Sequence, residues 1–302
     1  MTLSERLVAA RTGAAVGPVT MRGILRFRGL DARDYLHRMS TQSLAAIAPG
    51  ASAYAAFLDA RGHLVGEGLV AARQGDLLLV VESAELDGLR DHLRKYLVAD
   101  DVAVEDLSSS LRDLPVLGPK GVARALALRK GETMADTPRR GVAALEVIAS
   151  PEVAEGLRRE FLAEGAADLS EADLEVLRIE EGMARYGADM DGDRLPMEAG
   201  LTTHAIHFHK GCYIGQEVVL RATMRGHLQK GLVQLRLPEG AGCGTRLRAD
   251  GAEVGWVTSA ADTTHGRLGL GYLRRAYWKV GAQVEAGAGE AVVTKVIVHE
   301  PD

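Results

Sequence analysis

The chain of 302 residues is 47% hydrophobic and 25% charged, an ordinary globular composition long enough to divide its core between more than one domain. A formal net charge of -5 excludes a global electrostatic pull toward DNA, RNA or anionic lipid, so neither nucleic acid nor membrane is expected as a partner. Two cysteines, Cys212 and Cys243, are too few for a secreted disulfide framework.

The N-terminal stretch carries Glu5, Arg6 and Arg11 and has no apolar run of signal-peptide length. The densest apolar run, Leu77 to Val81, is too short to span a bilayer, so a cytoplasmic protein is expected. Gly23–Arg28 alternates apolar and basic residues and predicts a strand, with Asp31 as N-cap of a helix over Ala32–Met39. A turn at Gln74-Gly75-Asp76 leads into a strand over Leu77–Glu82. Ser83 is expected to cap a helix that aligns Leu86, Leu89, Leu93, Tyr96 and Leu97. Leu107–Arg140, rich in Ser, Pro, Arg and Lys, reads as surface loops and edge strands. Leu145–Ala149 predicts a strand. Ser150-Pro151 predicts a helix with Val153, Leu157 and Phe161 in line, and Ser170 with Asp173 resembles a capping box for a helix to about Glu181. From Gly226 onward, 13 glycines in 77 residues and no helical periodicity predict a small β-barrel or sandwich. The fold class expected is α+β, with a boundary near Arg225–Lys230.

The strongest local signal is Lys210-Gly211-Cys212-Tyr213-Ile214-Gly215-Gln216-Glu217. Its two glycines allow a tight turn and a close approach to a ligand or partner. Lys210, two residues before Cys212, would favour the thiolate by its charge. A plain strand-to-helix turn holding a half-buried Cys stays open beside this reading.

The string KGCYIGQE resembles the signature of the YgfZ family, and other segments agree in order and spacing. These are Gly29-Leu30-Asp31-Ala32, the hairpin Phe57 to Leu64, Arg178-Ile179-Glu180-Glu181-Gly182 with Tyr186-Gly187 and Asp189, and Gly255-Trp256-Val257-Thr258-Ser259. The resemblance implies the fold of the glycine-cleavage T-protein: two ferredoxin-like-type α+β domains, intertwined within residues 1–225, and a C-terminal β-barrel over 226–302, around a central hole. It implies a tetrahydrofolate-binding protein that supports assembly or repair of iron–sulfur enzymes, with folate and those enzymes or their assembly proteins as partners, and a monomer. Cys212 and Lys210 would act at the mouth of the site, within a motif completed by Gly211, Tyr213, Gly215, Gln216 and Glu217. Glu67, Glu146, Arg178 and Tyr186 would line the folate pocket, with Glu146 accepting hydrogen bonds from the pterin.

The T-protein carries paired aspartates after the hairpin glycine, where this chain reads Gly62-His63-Leu64-Val65-Gly66-Glu67. Only Glu67 remains as an acid there, which weighs against aminomethyl transfer. Two alternatives stand beside the accessory role: a folate-dependent aminomethyltransferase or demethylase using Glu67, and a docking scaffold without catalysis. His204, His207, His209 and Cys212 form a string that could hold a metal, but surface or core histidines are the plainer reading and no metal site is expected. The basic residues Arg22, Arg26, Arg28, Arg33 and Arg38, with Lys210, Arg221, Arg225 and Lys230, would suit a polyglutamated folate tail or serve as a solvated face. Cys243 reads as structural.

Overall fold

The computed structural model describes residues 1–128, 133–224 and 228–298. Arg225 and the expected boundary at 225/226 fall outside these residues. In chain order the first elements are α1 (Leu3–Thr12), β1 (Ala15–Val16), β2 (Gly23–Arg28), α2 (Ala32–Met39), β3 (Ser52–Leu58), β4 (Leu64–Ala72), β5 (Leu77–Val81), α3 (Leu86–Lys95) and β6 (Ala103–Asp106). They are followed by β7 (Arg112–Leu117), α4 (Pro119–Leu128), β8 (Thr133–Asp136), β9 (Ala144–Ala149), α5 (Pro151–Ala163), β10 (Ala167–Asp168), α6 (Glu171–Glu181), α7 (Thr202–Ala205) and α8 (Gln216–Met224). The last six strands are β11 (Lys230–Arg236), β12 (Arg246–Ala249), β13 (Ala252–Thr263), β14 (Gly266–Arg274), β15 (Gln283–Ala286) and β16 (Gly289–Val296).

The chain divides into two compact units. The first comprises residues 1–58, 65–174 and 204–214, and the second 59–64, 175–203 and 215–302. In the first unit, two five-stranded sheets run in the orders β3-β4-β5-β2-β6 and β10-β1-β7-β9-β8. Period-two alternation gives each sheet two distinct faces. The outer face of the first sheet carries Leu25, Phe27, Ala55, Phe57, Val70, Leu77, Leu79 and Val81, packed on Tyr35, Leu36 and Met39 of α2 and on Leu89 and Leu93 of α3. The outer face of the second carries Leu114, Val116, Leu145, Val147 and Ala149, packed on Ala125 of α4 and on Ala154, Leu157 and Phe161 of α5. The alternate residues point inward, where both sheets are also buried, so side chains such as Tyr54, Glu67, Asp113 and Glu146 have almost no contact with water.

Local structure departs from the sequence reading at four places. Asp31 makes no side-chain cap; its Oδ2 accepts from Asp101 N at 2.7 Å, tying α2 to the strand that follows α3. Ser83 opens a single 3₁₀ turn, Ser83–Glu85, and its hydroxyl donates to Met21 O at 3.1 Å, so α3 starts only at Leu86. Val153 is exposed and Ala154 takes its place on the buried stripe. Successive steps of four residues drift by about 40° each around a helix, which turns the leading residue out of line. The fourth departure is Leu107–Arg140, which supplies β7 at the centre of the second sheet. Pro115 is tolerated there because its carbonyl, accepting from Gly17 N at 2.9 Å, faces away from β9; the missing N–H on that side breaks no bond to β9.

The second unit contains a closed barrel of order β11-β14-β13-β12-β15-β16, around a core that includes Val233, Leu235, Leu247, Val257, Leu273 and Val293. Its strand glycines Gly231, Gly255, Gly269 and Gly271 serve close packing. A Cβ at Gly255 would lie 1.9 Å from the carbonyl oxygen of Tyr272 on the neighbouring strand. Among the described residues no helix is long and apolar enough to cross a membrane.

Candidate functional site

The inward faces of the two sheets in the first unit meet in a layer of charged side chains. From the first sheet come Tyr54 on β3, Glu67 on β4, Arg22 just before β2 and Glu82 just after β5. From the second come Asp113 on β7 and Glu146 on β9. Arg139 and Arg140 are delivered by a 3₁₀ turn over Pro138–Arg140. Thr137 Oγ1 caps it by accepting from Arg139 N at 3.2 Å, and Gly141 ends it in the left-handed region at φ 70°. The sequence Thr-Pro-Arg-Arg-Gly is thus a local turn signal that places two guanidinium groups on the inward side.

These groups alternate in sign. Arg139 Nη2 donates to Glu67 Oε1 at 3.4 Å and to Glu82 Oε1 at 2.8 Å. Arg22 donates through Nη1 to Glu82 Oε2 and through Nε to Asp113 Oδ2, the latter at 3.1 Å. Arg140 Nε donates to Glu146 Oε1 at 3.0 Å. Glu85 adds a further carboxyl, its Oε2 accepting from Glu67 N at 3.1 Å. A Cβ at Gly66 would lie only 3.1 Å from that same oxygen. The absence of an acid at 66 therefore goes with the presence of one at 85, which fills the space a side chain at 66 would need.

Burial dominates the electrostatics. It pushes Glu85 up to about 8, with the charge of Glu67 adding to the effect. It pushes Asp113 up to about 8 with the help of Glu146. Burial also works to raise Glu146, but Arg140, a hydrogen bond from Asp113 and Arg22 outweigh it and hold the group near about 2. The Tyr54 phenol is raised well above its ordinary value, first by burial and then by Glu67. Burial opposes the charge of Arg139, yet Glu67 and Glu82 overcome it. With all five acids ionised, Glu67 Oε2, Glu85 Oε1, Asp113 Oδ1 and Glu146 Oε2 are buried oxygens without a donor. Such groups are costly unless something supplies a hydrogen.

The KGCYIGQE loop is built differently from the expectation for Lys210. Its Nζ donates to the carbonyls of His37, Ser40 and Gln42, the last two at 2.6 and 2.8 Å, and lies 5.1 Å from the Tyr213 ring centroid. An ammonium has three hydrogens, and three backbone carbonyls around the end of α2 take them. Burial pushes Lys210 down to about 7, while the carbonyl dipoles act to keep its charge. Lys210 thus pins the loop to α2. Tyr213 is buried, Gly211 and Cys212 are exposed, and Gly215 adopts φ 80° just before α8. Gln216 is partly buried at the start of α8, and Glu217, exposed one residue on, accepts from Arg221 at 2.5 Å.

Arg178 and Tyr186 lie in the second unit. All the N–H groups of Arg178 are engaged: Nε with Glu175 at 3.0 Å, Nη1 with Asp189 at 2.5 Å and Met183 O at 2.6 Å, and Nη2 with Glu175 at 2.6 Å and Ser259 at 2.9 Å. Tyr186, partly exposed, sits in a bridge with Met190. Of the residues expected in a pocket, Glu67 and Glu146 share the charged layer. Tyr54, Glu82, Glu85, Asp113, Arg139 and Arg140 belong to it without having been singled out from sequence. The signal was available: single acids inside apolar runs such as LEVIA, where both sheet faces are covered.

Arg22 is buried in this layer rather than on a basic rim. Other members of that expected rim are tied to their own chain: Arg26 and Arg28 to Glu105, Arg33 to Ile47 O, and Arg38 to Asp34 and Asp100. The rings of His207 and His209 lie edge to face at 6.3 Å, and no metal-holding cluster of His, Cys, Asp or Glu occurs among the described residues. Cys212 and Cys243 are both exposed free thiols. Two surface clefts of the first unit hold Asp76 in one and Asp168 and Asp173 in the other, each already paired with arginine.

Comparison with known proteins gives a consistent result. Residues 3–137 match the GCVT N-terminal domain. An aminomethyltransferase from Rubrobacter xylanophilus is 32% identical over 291 residues, covering 88% of this chain and 77% of that protein. One from Bacillus velezensis is 25% identical over 329 residues, covering 99% of this chain and 89% of that protein. The crystal structure of glycine cleavage system aminomethyltransferase T from Bartonella henselae shares the fold, with a TM-score of 0.84 at 18% identity over 99% of this chain and 90% of that one. On the likeness to the Rubrobacter protein over most of both sequences, the chain belongs to the aminomethyltransferase family.

Proposed function

We propose that this protein binds tetrahydrofolate against the charged layer of its first unit and acts, through the Cys212 loop, as an accessory factor for iron–sulfur enzymes of the YgfZ type. The observation that carries the folate reading is the set of buried carboxylate oxygens that no arginine reaches, Glu67 Oε2 and Glu146 Oε2 foremost. A reduced pterin presents amino and ring N–H groups, which are donors, so the residues present fit the ligand by chemistry. In this reading Glu146 holds the pterin edge and Glu67, with Glu85 beside it, faces the reduced ring. Arg178 and Tyr186 are assigned to the folate site on resemblance alone.

The accessory role rests on the exposed Cys212 in a loop that Lys210 fixes. In a strain whose only copy carries Cys212→Ala, the activity of cellular iron–sulfur enzymes is expected to fall to the level of the deletion, with the protein still folded. Wild-type activity in that strain, beside a defective deletion, would take the loop out of the reading. The 32% identical relative named aminomethyltransferase favours a second reading, one-carbon transfer with Glu67 as the acid. Turnover of a methylamine donor with tetrahydrofolate, lost in Glu67→Gln, would establish it instead.

A further inference from the structure

The arginines of the charged layer do not reach all of its acids. Glu67 and Glu82 lie on Arg139, Glu82 and Asp113 on Arg22, and Glu146 on Arg140. Glu85 is left over: among the described residues no ion pair joins it to a cation, although it is only 6% exposed. The 3₁₀ turn over Ser83–Glu85, in which Glu85 N donates to Glu82 O at 3.0 Å, brings its side chain back over β4. There Oε2 accepts from Glu67 N at 3.1 Å and fills the space over Gly66. Oε1 is buried with no hydrogen-bond partner of either kind. The titratable and charged groups acting on Glu85 are Glu67 on β4, Glu82 after β5, Arg139 on its turn and Tyr54 on β3, while α3 brings the apolar Leu89 to the same space. A buried carboxyl with no cation on it is cheaper neutral than ionised. Burial, with Glu67 adding to it, accordingly raises Glu85 to about 8, so at neutral pH it carries a proton. Since Oε2 is engaged as an acceptor, the proton belongs on Oε1, where it has nothing to donate to. The layer therefore holds an unspent donor beside its unspent acceptors.

We propose that Glu85 is a specificity-determining residue of this layer: as a neutral carboxyl it donates a hydrogen bond to an acceptor on the ligand, while Glu146 takes the ligand's N–H groups. The inference rests on the reading that tetrahydrofolate binds here. A reduced pterin carries a carbonyl oxygen and amine lone pairs besides its N–H groups, so it can serve both acids. At neutral pH no proton is lost or gained on binding. A neutral ligand covering the layer removes water from Glu85 and so keeps it neutral. A ligand with N–H donors alone leaves the Glu85 O–H buried and unpaired, and is disfavoured for that reason.

Above about 8 free Glu85 ionises, and binding then has to take a proton back from solvent, so affinity falls as pH rises. The test is the dissociation constant of tetrahydrofolate at about pH 7 and about pH 9 for wild type and Glu85→Gln. The amide keeps the shape, accepts from Glu67 N, donates from the position of Oε1 and does not titrate. Asp113, raised to about 8, titrates in both proteins, so the ratio of the two constants is the readout. Wild type is expected to weaken by about tenfold relative to the variant over that range. At about pH 7 the two should agree within about threefold, since one neutral donor replaces another. A ratio that does not change with pH, a wild-type affinity that does not fall, or a variant weakened about tenfold at about pH 7 would overturn the inference while leaving folate binding intact. Failure of wild type to bind tetrahydrofolate at all would overturn the folate reading and the inference with it. The wild-type profile decides even where the variant does not fold.

Discussion

Arg139→Met should destabilise the first unit by about 3–5 kcal/mol at neutral pH, and the deficit should widen as pH rises. Arg139 touches both Glu67 and Glu82, and its side chain and that of Glu67 are 10% and 1% exposed. Methionine fills part of the volume but carries no charge, so buried carboxylates lose a cation that water cannot replace. The pH dependence follows from Glu85, already raised to about 8 by burial and Glu67 with Arg139 opposing. Without Arg139 it is raised further. A carboxyl raised on folding binds its proton more tightly in the folded state, so its stabilising effect is full below the ordinary carboxylate value and is lost as pH rises through the folded one. The deficit therefore widens as pH passes the wild-type value of Glu85, and denaturant unfolding from about pH 7 to about pH 10 would measure this. A loss within about 0.5 kcal/mol, the range of ordinary surface substitutions, would contradict the account of the layer.

Arg178→Met should have an effect of similar size on the second unit, about 3–5 kcal/mol. It leaves Asp189, whose side chain is 0% exposed, with only Thr258 Oγ1 at 2.6 Å and Arg185 N at 3.1 Å. It also removes the donors to Met183 O and Ser259, which join α6 to the next turn and to β13. Hydrogen exchange should therefore accelerate in β13 and β14. Unchanged stability together with a loss of folate affinity would give Arg178 to the ligand instead.

Much of the fold was legible because local rules and burial agreed. The Gly-rich C-terminal stretch forms a closed barrel, and Gly23–Arg28, Ala32–Met39 and Leu145–Ala149 lie where their periodicity put them. β7 was not legible, since a proline among charged residues looks like an edge; only the chain's departure at Gly17 makes room for it. The charged layer was partly legible. Glu67 and Glu146 were found by likeness to a family pattern. Glu85 and Asp113 resemble strand-end acids in water until the fold is seen to bury them, and Glu82 until it is seen between Arg22 and Arg139. The motif around Cys212 stood out in sequence, but the three carbonyls that hold Lys210 come from α2 and the turn after it, about 170 residues away, and no local pattern announces them.

Equilibrium binding of tetrahydrofolate to wild type and Glu146→Gln tests the central claim most directly. The amide puts a donor where the ligand's donors need an acceptor. A hydrogen-bonded carboxylate contributes about 1.5–3 kcal/mol, so affinity should fall by about 10- to 100-fold, measured below the melting temperature of the variant, which loses the Arg140 ion pair and is itself less stable than wild type. Equal affinities for the two proteins would contradict the placement of the folate on this layer, and no saturable binding to wild type would contradict the folate reading altogether.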